Sequence, residues 1–173
     1  MVNPAVRQII SAEEIRRRVA ELAAQIHADL PGPLTVIVVL KGAFMFAADL
    51  VRHLDGDITL DFTTISSYRA QATSPATLQV LKDVDVPLHG QDVLIVEDIV
   101  DTGRTVSYLQ QRLRTSGSRV LRTACLLSKP GRRQVDVRVD YIGFSIDDLF
   151  VVGYGLDYDG RYRNLPYIAA LGA

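Results

Sequence analysis

Residues Asp101-Thr102-Gly103-Arg104-Thr105 place a glycine and two hydroxyls where a helix begins, just after the apolar run Val93-Leu94-Ile95-Val96 and the acidic pair Glu97-Asp98. A glycine-bearing loop at a helix amino terminus exposes backbone N–H groups. With the hydroxyls of Thr102 and Thr105 it can hold a phosphate dianion. Arg104 can assist or face solvent. An ordinary helix start capped by Asp101 or Thr102 is the bland alternative. Glu97 and Asp98 can hold the vicinal hydroxyls of a ribose or help retain Mg²⁺ through oxygen contacts. Side chains of neighbours on a regular strand point to opposite faces, so such sharing requires the strand to end and the backbone to turn at the pair. The sequence suggests that it does, and a solvated strand end is the alternative.

The elements around these residues follow from periodicity. Ser11 and Glu14 form a capping box, and Ile15, Val19, Leu22, Ala23 and Ile26 recur at helical spacing, predicting a helix to about His27. Pro31-Gly32-Pro33 breaks it. Thr35 to Leu40 is a continuous β-branched run, the mark of a strand buried on both faces, and Lys41-Gly42 ends it. A helix over Phe44 to Arg52 and a strand over Ile58 to Ile65 follow. Ser66 to Thr77 has no period that would bury a face and reads as a mobile loop, with a returning strand over Leu78 to Val84. Later strands are expected at Val93 to Val96, Val120 to Leu127, Tyr141 to Phe144 and Phe150 to Tyr154, with a helix over Thr105 to Arg114. Alternating strands and helices argue for a mainly parallel twisted sheet flanked by helices, an α/β fold. Ligands bind such sheets beyond the carboxyl ends of strands, which directs attention to the residues after Leu40, Ile65, Val96, Leu127 and Tyr154.

Composition limits the classes of function. A chain of 173 residues with 48% hydrophobic content fits one domain, residues 1–173, with a continuous core. The net charge of −1 supplies no global field for nucleic acid or an anionic membrane. Lys41, Lys82 and Lys129 are the only lysines among 19 basic residues, so each is a candidate for a specific role. The lone Cys125 sits in an apolar run, reads as a buried structural thiol and fits a reducing, cytoplasmic setting. No apolar stretch approaches the roughly 20 residues of a membrane helix, and no secretory signal is visible. Other glycine loops do not compete: G-x-x-x-x-G-K-[ST] is absent, and Gly153-Tyr154-Gly155 lacks the third glycine and following helix of a dinucleotide site.

The thirteen-residue run from Val93 to Thr105 resembles the phosphoribosyl pyrophosphate motif of type I phosphoribosyltransferases. Leu40-Lys41-Gly42-Ala43 resembles the pyrophosphate loop of the hypoxanthine-guanine enzymes, which typically has a cis peptide before the lysine; Ala43 stands where that pattern often has a second glycine. Ser66-Ser67-Tyr68 resembles the start of the family's lid over the reacting centre, with Ser67 and Tyr68 as its residues. Ser128-Lys129-Pro130 resembles the segment whose lysine contacts the exocyclic oxygen of a 6-oxopurine. Asp148 to Tyr158 resembles the purine pocket, and Tyr162-Arg163-Asn164-Leu165 a pyrophosphate contact.

This resemblance, from about Leu40 to Leu165, implies the type I phosphoribosyltransferase fold with a small hood formed by terminal segments. It implies Mg²⁺-dependent transfer of phosphoribosyl from 5-phosphoribosyl diphosphate to hypoxanthine or guanine, giving IMP or GMP and pyrophosphate. The phosphoribosyl group would lie on Glu97, Asp98, Asp101, Thr102, Gly103, Arg104 and Thr105. Pyrophosphate would lie on Lys41, Gly42 and Arg163. The purine would lie on Lys129, Phe150, Val151 and Asp157, and the metal near Glu97, Asp98 and Asp157. Asp101, between the acidic pair and the phosphate loop, is the candidate general acid/base. For each segment the ordinary reading stays open: a turn at Lys41-Gly42, a surface loop after Ser66, an exposed lysine at 129, core strand residues at Phe150 and Val151. The family implies a homodimer or homotetramer. A regulator using the same fold to sense phosphoribosyl diphosphate is the alternative function; it should lack a complete base site or add a DNA-binding segment.

Overall fold

The computed structural model describes residues 6–68 and 77–172. Strand β1 (Val6–Ile10) leads into helix α1 (Ala12–Asp29), which starts where the capping box predicts. The Ser11 hydroxyl accepts from the Glu14 N–H at 3.2 Å, and the Glu14 carboxylate accepts from the Ser11 N–H at 2.8 Å. Its buried residues are Ile15, Val19, Leu22, Ala23 and Ile26, the stripe read from the sequence. Strand β2 (Leu34–Leu40), helix α2 (Phe44–Arg52), β3 (Ile58–Tyr68), β4 (Thr77–Lys82), β5 (Asp92–Val100), helix α3 (Arg104–Arg114), β6 (Val120–Ser128), β7 (Tyr141–Ser145), β8 (Val151–Val152) and β9 (Ile168–Leu171) complete the chain.

Six strands form the main sheet in the order β4-β3-β2-β5-β6-β7, all parallel except β4, which pairs antiparallel with β3. The chain moves from β2 outward to β3 and β4, then crosses to the other side of β2 for β5 and moves outward again. The order therefore reverses between β2 and β5, which opens a crevice at their carboxyl ends. Alternate residues face opposite layers. Val36, Val38, Leu94 and Val96 share a core with α1 and α2, whereas Ile37, Val39, Val93 and Ile95 pack under Leu109 and Leu113 of α3. This two-sided burial explains the unbroken apolar runs.

A second sheet, β1-β9-β8, joins the two ends of the chain and is the hood that the family resemblance implies. Of the strand expected over Phe150 to Tyr154 only Val151–Val152 forms. Gly153 and Tyr154 both take positive φ, 98° and 48°, which ends the extended backbone. The expected loop after Ile65 is shorter: Ser66, Ser67 and Tyr68 continue β3 and pair with Gln79, Leu78 and Thr77. The rest of that segment, 69–76, lies outside the described residues, as do the side chains of the lid candidates Ser67 and Tyr68.

Candidate active site

β5 does not stop before the acidic pair. It runs on to Val100, because pairing with β2 ends at Val96 while β6 continues to pair through Val100 and Ser128. The expectation that Glu97 and Asp98 share a ligand by virtue of a strand end is thus corrected. Glu97 folds back so that its Oε1 accepts the Asp98 N–H at 3.1 Å, and Asp98 Oδ1 accepts the Ile99 N–H at 2.6 Å. Both carboxylates line one cleft of about 240 Å³. Burial raises the Glu97 carboxyl well above its usual range, and the neighbouring Asp98 charge adds to this. Burial also raises Asp98, against the opposing pull of its hydrogen bonds and of the Arg163 charge. Beside them Cys125 is buried, its thiol pushed up to about 12 by burial and by Glu97, as suits a structural thiol.

The phosphate loop closes the same cleft. Asp101, Thr102, Gly103 and Thr105 all line it, together with Lys41 and Gly42 from the end of β2. Gly103 has φ 83°, and a Cβ there would lie 2.7 Å from Val137, so both the turn into α3 and the close approach require glycine. The cap of α3 is Gly103, with no side-chain cap bond, so neither Asp101 nor Thr102 caps the helix as the ordinary reading allowed; Thr102 Oγ1 accepts the Arg104 N–H at 3.4 Å from one residue before the cap and lines the cleft. Arg104 is exposed and does not line the cleft. Ile65, Ile99 and Val106 supply apolar walls.

Lys41 follows a cis peptide from Leu40. Gly42 packs so closely on the acidic pair that a Cβ there would lie 1.4 Å from Asp98 Oδ2. Ala43 is fully buried at the start of α2, so the missing second glycine is a core residue. Gly155 lies against the Gly42 carbonyl, within 2.1 Å of where its own Cβ would stand, so the loop from 153 to 163 meets the Lys41 loop backbone to backbone. Within it Arg163 Nη2 pairs with Asp157 Oδ1 at 2.7 Å, and Arg163 Nη1 donates to the Gly155 carbonyl at 2.6 Å. Asp157 and Arg163, expected on metal and pyrophosphate, are thus each other's partners.

Lys129 is tied to the site by its N–H, which donates to the Val100 carbonyl at 3.0 Å; its side chain is buried near Asp148, 3.6 Å away. Phe150 is 55% exposed and meets Tyr158 edge to face at 5.8 Å, so it is not a core residue, whereas Val151 is buried. The sequence assigns no role to Arg132 or Arg133, and takes in Asp148 only as the first residue of the purine-pocket segment. Arg133 donates to the carbonyls of Val100 and Asp101, and Arg132 Nε donates to Asp101 Oδ1 at 3.1 Å. Their only signal was two arginines after a Pro-Gly turn.

Among the described residues no three His, Cys, Asp or Glu side chains gather into a ready metal cluster. The Glu97-Asp98 pair nonetheless fits Mg²⁺. Two adjacent carboxylates on the cleft, Glu97 buried and raised by the Asp98 charge and Asp98 partly buried, suit a cation that keeps its waters and arrives on a substrate's oxygens.

A mostly parallel sheet with a glycine loop at a helix amino terminus and an acidic pair at its switch point defines an α/β domain whose cleft lies beyond the carboxyl ends of its strands. The chain belongs to the phosphoribosyltransferase family: residues 5–159 match the model of the phosphoribosyl transferase domain. It is 43% identical over 164 residues to a hypoxanthine-guanine phosphoribosyltransferase of Bacillus subtilis (94% of this chain, 91% of that protein). It is 45% identical over 166 residues to the hypoxanthine phosphoribosyltransferase of Escherichia coli K12 (94% and 93%). A crystal structure of a hypoxanthine-guanine phosphoribosyltransferase from Bacillus anthracis superposes with a TM-score of 0.92 at 44% identity, covering 96% of this chain and 99% of that one. Among the described residues no helix is long and apolar enough to cross a membrane.

Proposed function

We propose that this chain is a hypoxanthine-guanine phosphoribosyltransferase of purine salvage, acting as one catalytic unit over residues 1–173. The observation that carries this reading is the single cleft in which Lys41 and Gly42, Glu97 and Asp98, and the loop Asp101 to Thr105 meet, with Lys129 hydrogen-bonded to its floor at Val100. Full-length relatives with that activity support it.

The 5′-phosphate sits on the N–H groups and hydroxyls of Thr102, Gly103, Arg104 and Thr105, and Glu97 and Asp98 take the ribose hydroxyls. Lys129 donates to the 6-oxygen, Phe150 stacks on the ring and Val151 presents backbone polar groups to its edge. Asp157, paired with Arg163, contacts the purine near the metal and pyrophosphate. The bond from the sugar carbon to pyrophosphate breaks as the bond to a purine nitrogen forms, and Lys41, Gly42 and Arg163 hold the departing charge. Asp101 takes the proton released at the purine N7 side. Glu97, Asp98 and Asp157 would hold Mg²⁺, which would supply neutralisation of pyrophosphate charge. Ser67 and Tyr68 belong to a lid that keeps water from the electrophilic sugar. The enzyme works in the cytoplasm as a homodimer or homotetramer. A regulator on the same fold has no observation of its own in its favour.

The test is incubation with Mg²⁺, 5-phosphoribosyl diphosphate and each of hypoxanthine, guanine, xanthine and adenine. IMP and GMP should form with pyrophosphate, and adenine should be a poor acceptor. Absence of nucleotide from every oxopurine overturns the reading.

A further inference from the structure

Residues 128 to 135 clasp the segment that carries Asp101. Besides Lys129 N–H on Val100, the N–H groups of Gln134 and Val135 both donate to the Thr102 carbonyl, at 3.0 and 3.4 Å. Arg133 holds the carbonyls on either side of the Val100-Asp101 junction and the Ser128 hydroxyl at 2.9 Å. Every one of these contacts grips backbone, apart from the one to Ser128. Arg132 alone in this clasp reaches the Asp101 carboxylate, through Nε at 3.1 Å. It leaves from a 3-10 turn, Pro130–Arg132, whose path is fixed by the proline and by Arg132 N–H on the Lys129 carbonyl at 3.1 Å. Its other end, Nη1, lies 3.3 Å from Asp148 Oδ2, and the second oxygen of Asp148 lies 3.6 Å from Lys129 Nζ. Asp148 therefore stands between two cations, one oxygen towards each.

We infer that Arg132 is a positioning residue for Asp101, and that Asp148 aims both Arg132 and Lys129. The inference rests on the reading of Asp101 as the acid/base. Arg132, Asp101 and Asp148 are all partly exposed, with side chains 45%, 36% and 60% accessible, so water screens the pairs and they add little to folding. What they supply is direction. A carboxylate on a short loop has several rotamers, and a guanidinium anchored by a fixed turn and steadied from behind by Asp148 selects one. Through the same Asp148 the group that removes the purine proton and the lysine that meets its oxygen are set in one frame.

The experiment compares wild type, Arg132→Met, Asp101→Asn, the double variant and Asp148→Asn, with hypoxanthine as acceptor and saturating Mg²⁺ and 5-phosphoribosyl diphosphate. Arg132→Met should lower kcat on the order of tenfold, with the KM for 5-phosphoribosyl diphosphate within about twofold and the melting temperature unchanged. In the Asp101→Asn background it should cost nothing further, because it acts through that carboxylate. Asp148→Asn should lower kcat and raise the KM for hypoxanthine. Losses that multiply in the double variant, or full turnover in Arg132→Met beside a crippled Asp101→Asn, overturn the positioning role. A kcat and KM unmoved in Asp148→Asn overturn its part. Full turnover in Asp101→Asn overturns the acid/base reading itself, and the positioning of Asp101 with it; the single variant tells this failure from the others.

Discussion

An alanine methyl at position 42 would lie 1.4 Å from Asp98 Oδ2 and 2.5 Å from its Cγ, so Gly42→Ala must drive that carboxylate aside. The obstacle is a side chain and Gly42 has ordinary φ, so the fold should survive while the site suffers. A displacement of that size should lower kcat/KM on the order of a hundredfold with little change in melting temperature; unchanged kinetics would show that Asp98 is not needed where it stands. Asp101→Asn makes the complementary case. The amide keeps the size of the carboxylate but cannot take a proton, so kcat should fall by about 10² to 10⁴ while 5-phosphoribosyl diphosphate binding, followed by calorimetry, changes far less. At this scale the sequence was legible wherever chemistry is local. The glycine of the 101–105 loop and the acidic pair line one cleft, and Lys129 lies in the neighbouring hollow with Arg132 and Asp148, joined to the cleft through its N–H on Val100. Partnerships over long sequence distance were not legible. Nothing near Asp101 announces Arg132, thirty-one residues on, and nothing in Asp157 shows that Arg163 pairs with it.

Elements rather than single groups decide how the β3–β4 ribbon is held. Asp61 on β3 is buried, and its carboxylate accepts the N–H groups of Phe62, Asp85 and Val86 at 2.7, 2.6 and 3.2 Å and the Lys82 ammonium at 3.2 Å. Burial pushes this carboxyl up, but the Asp85 and Phe62 N–H groups and Lys82 together outweigh it, and the net shift is downward from 3.8. A carboxyl depressed in the folded state contributes stability above its unfolded value, and that stability disappears as pH falls through the folded one. Asp61→Asn should therefore be less stable than wild type at pH 7, by about 1–3 kcal/mol for an incompletely satisfied buried group. The gap should narrow below pH 3.8; chemical denaturation at pH 7 and pH 3 checks this, and a constant gap would place the effect in packing instead. Strands and helices with strong patterns, α1 with its capping box and β2 with its β-branched run, were readable because local preference and burial agree. β9 was not, since Ile168-Ala169-Ala170-Leu171 has few β-formers and becomes a strand only by pairing with β1 and β8. β5 was read as ending at Val96 for a similar reason: charged residues look like a strand end, and only the continued pairing with β6 carries it through them.

The hood and the main sheet are separate in hydrogen bonding but continuous in packing. Ile10, Val151, Tyr154, Leu156 and Ile168 belong to the same buried cluster as Val36, Leu94 and Leu126 and the inner faces of α1 and α2. One backbone approach and one side-chain hydrogen bond reinforce the joint: Gly155 lies on the Gly42 carbonyl, and Tyr154 donates its hydroxyl to Asp49 of α2 at 2.6 Å. The pieces of the site come from both parts, the Lys41 loop and the phosphate loop from the sheet and Arg163 and Asp157 from the loop that follows β8. A hood that melted early would scatter them. Shared packing predicts that the molecule unfolds as one cooperative unit. Ile168 is fully buried and lies on the strand that links β1 to β8, so Ile168→Ala removes side-chain volume at the seam. The change should cost about 2–5 kcal/mol, and for a chain of this size each kcal/mol corresponds to roughly 2–4 °C in Tm. Far-ultraviolet circular dichroism, which reports the helices and main sheet, and tyrosine fluorescence, which includes Tyr154 and Tyr158 of the hood side, should move down together. Saturating 5-phosphoribosyl diphosphate with Mg²⁺ should raise both, by about 2.7 kcal/mol at a hundredfold excess over Kd. An early transition seen by fluorescence alone would show that hood and sheet are separate cooperative units, and the site would then depend on ligand to assemble it.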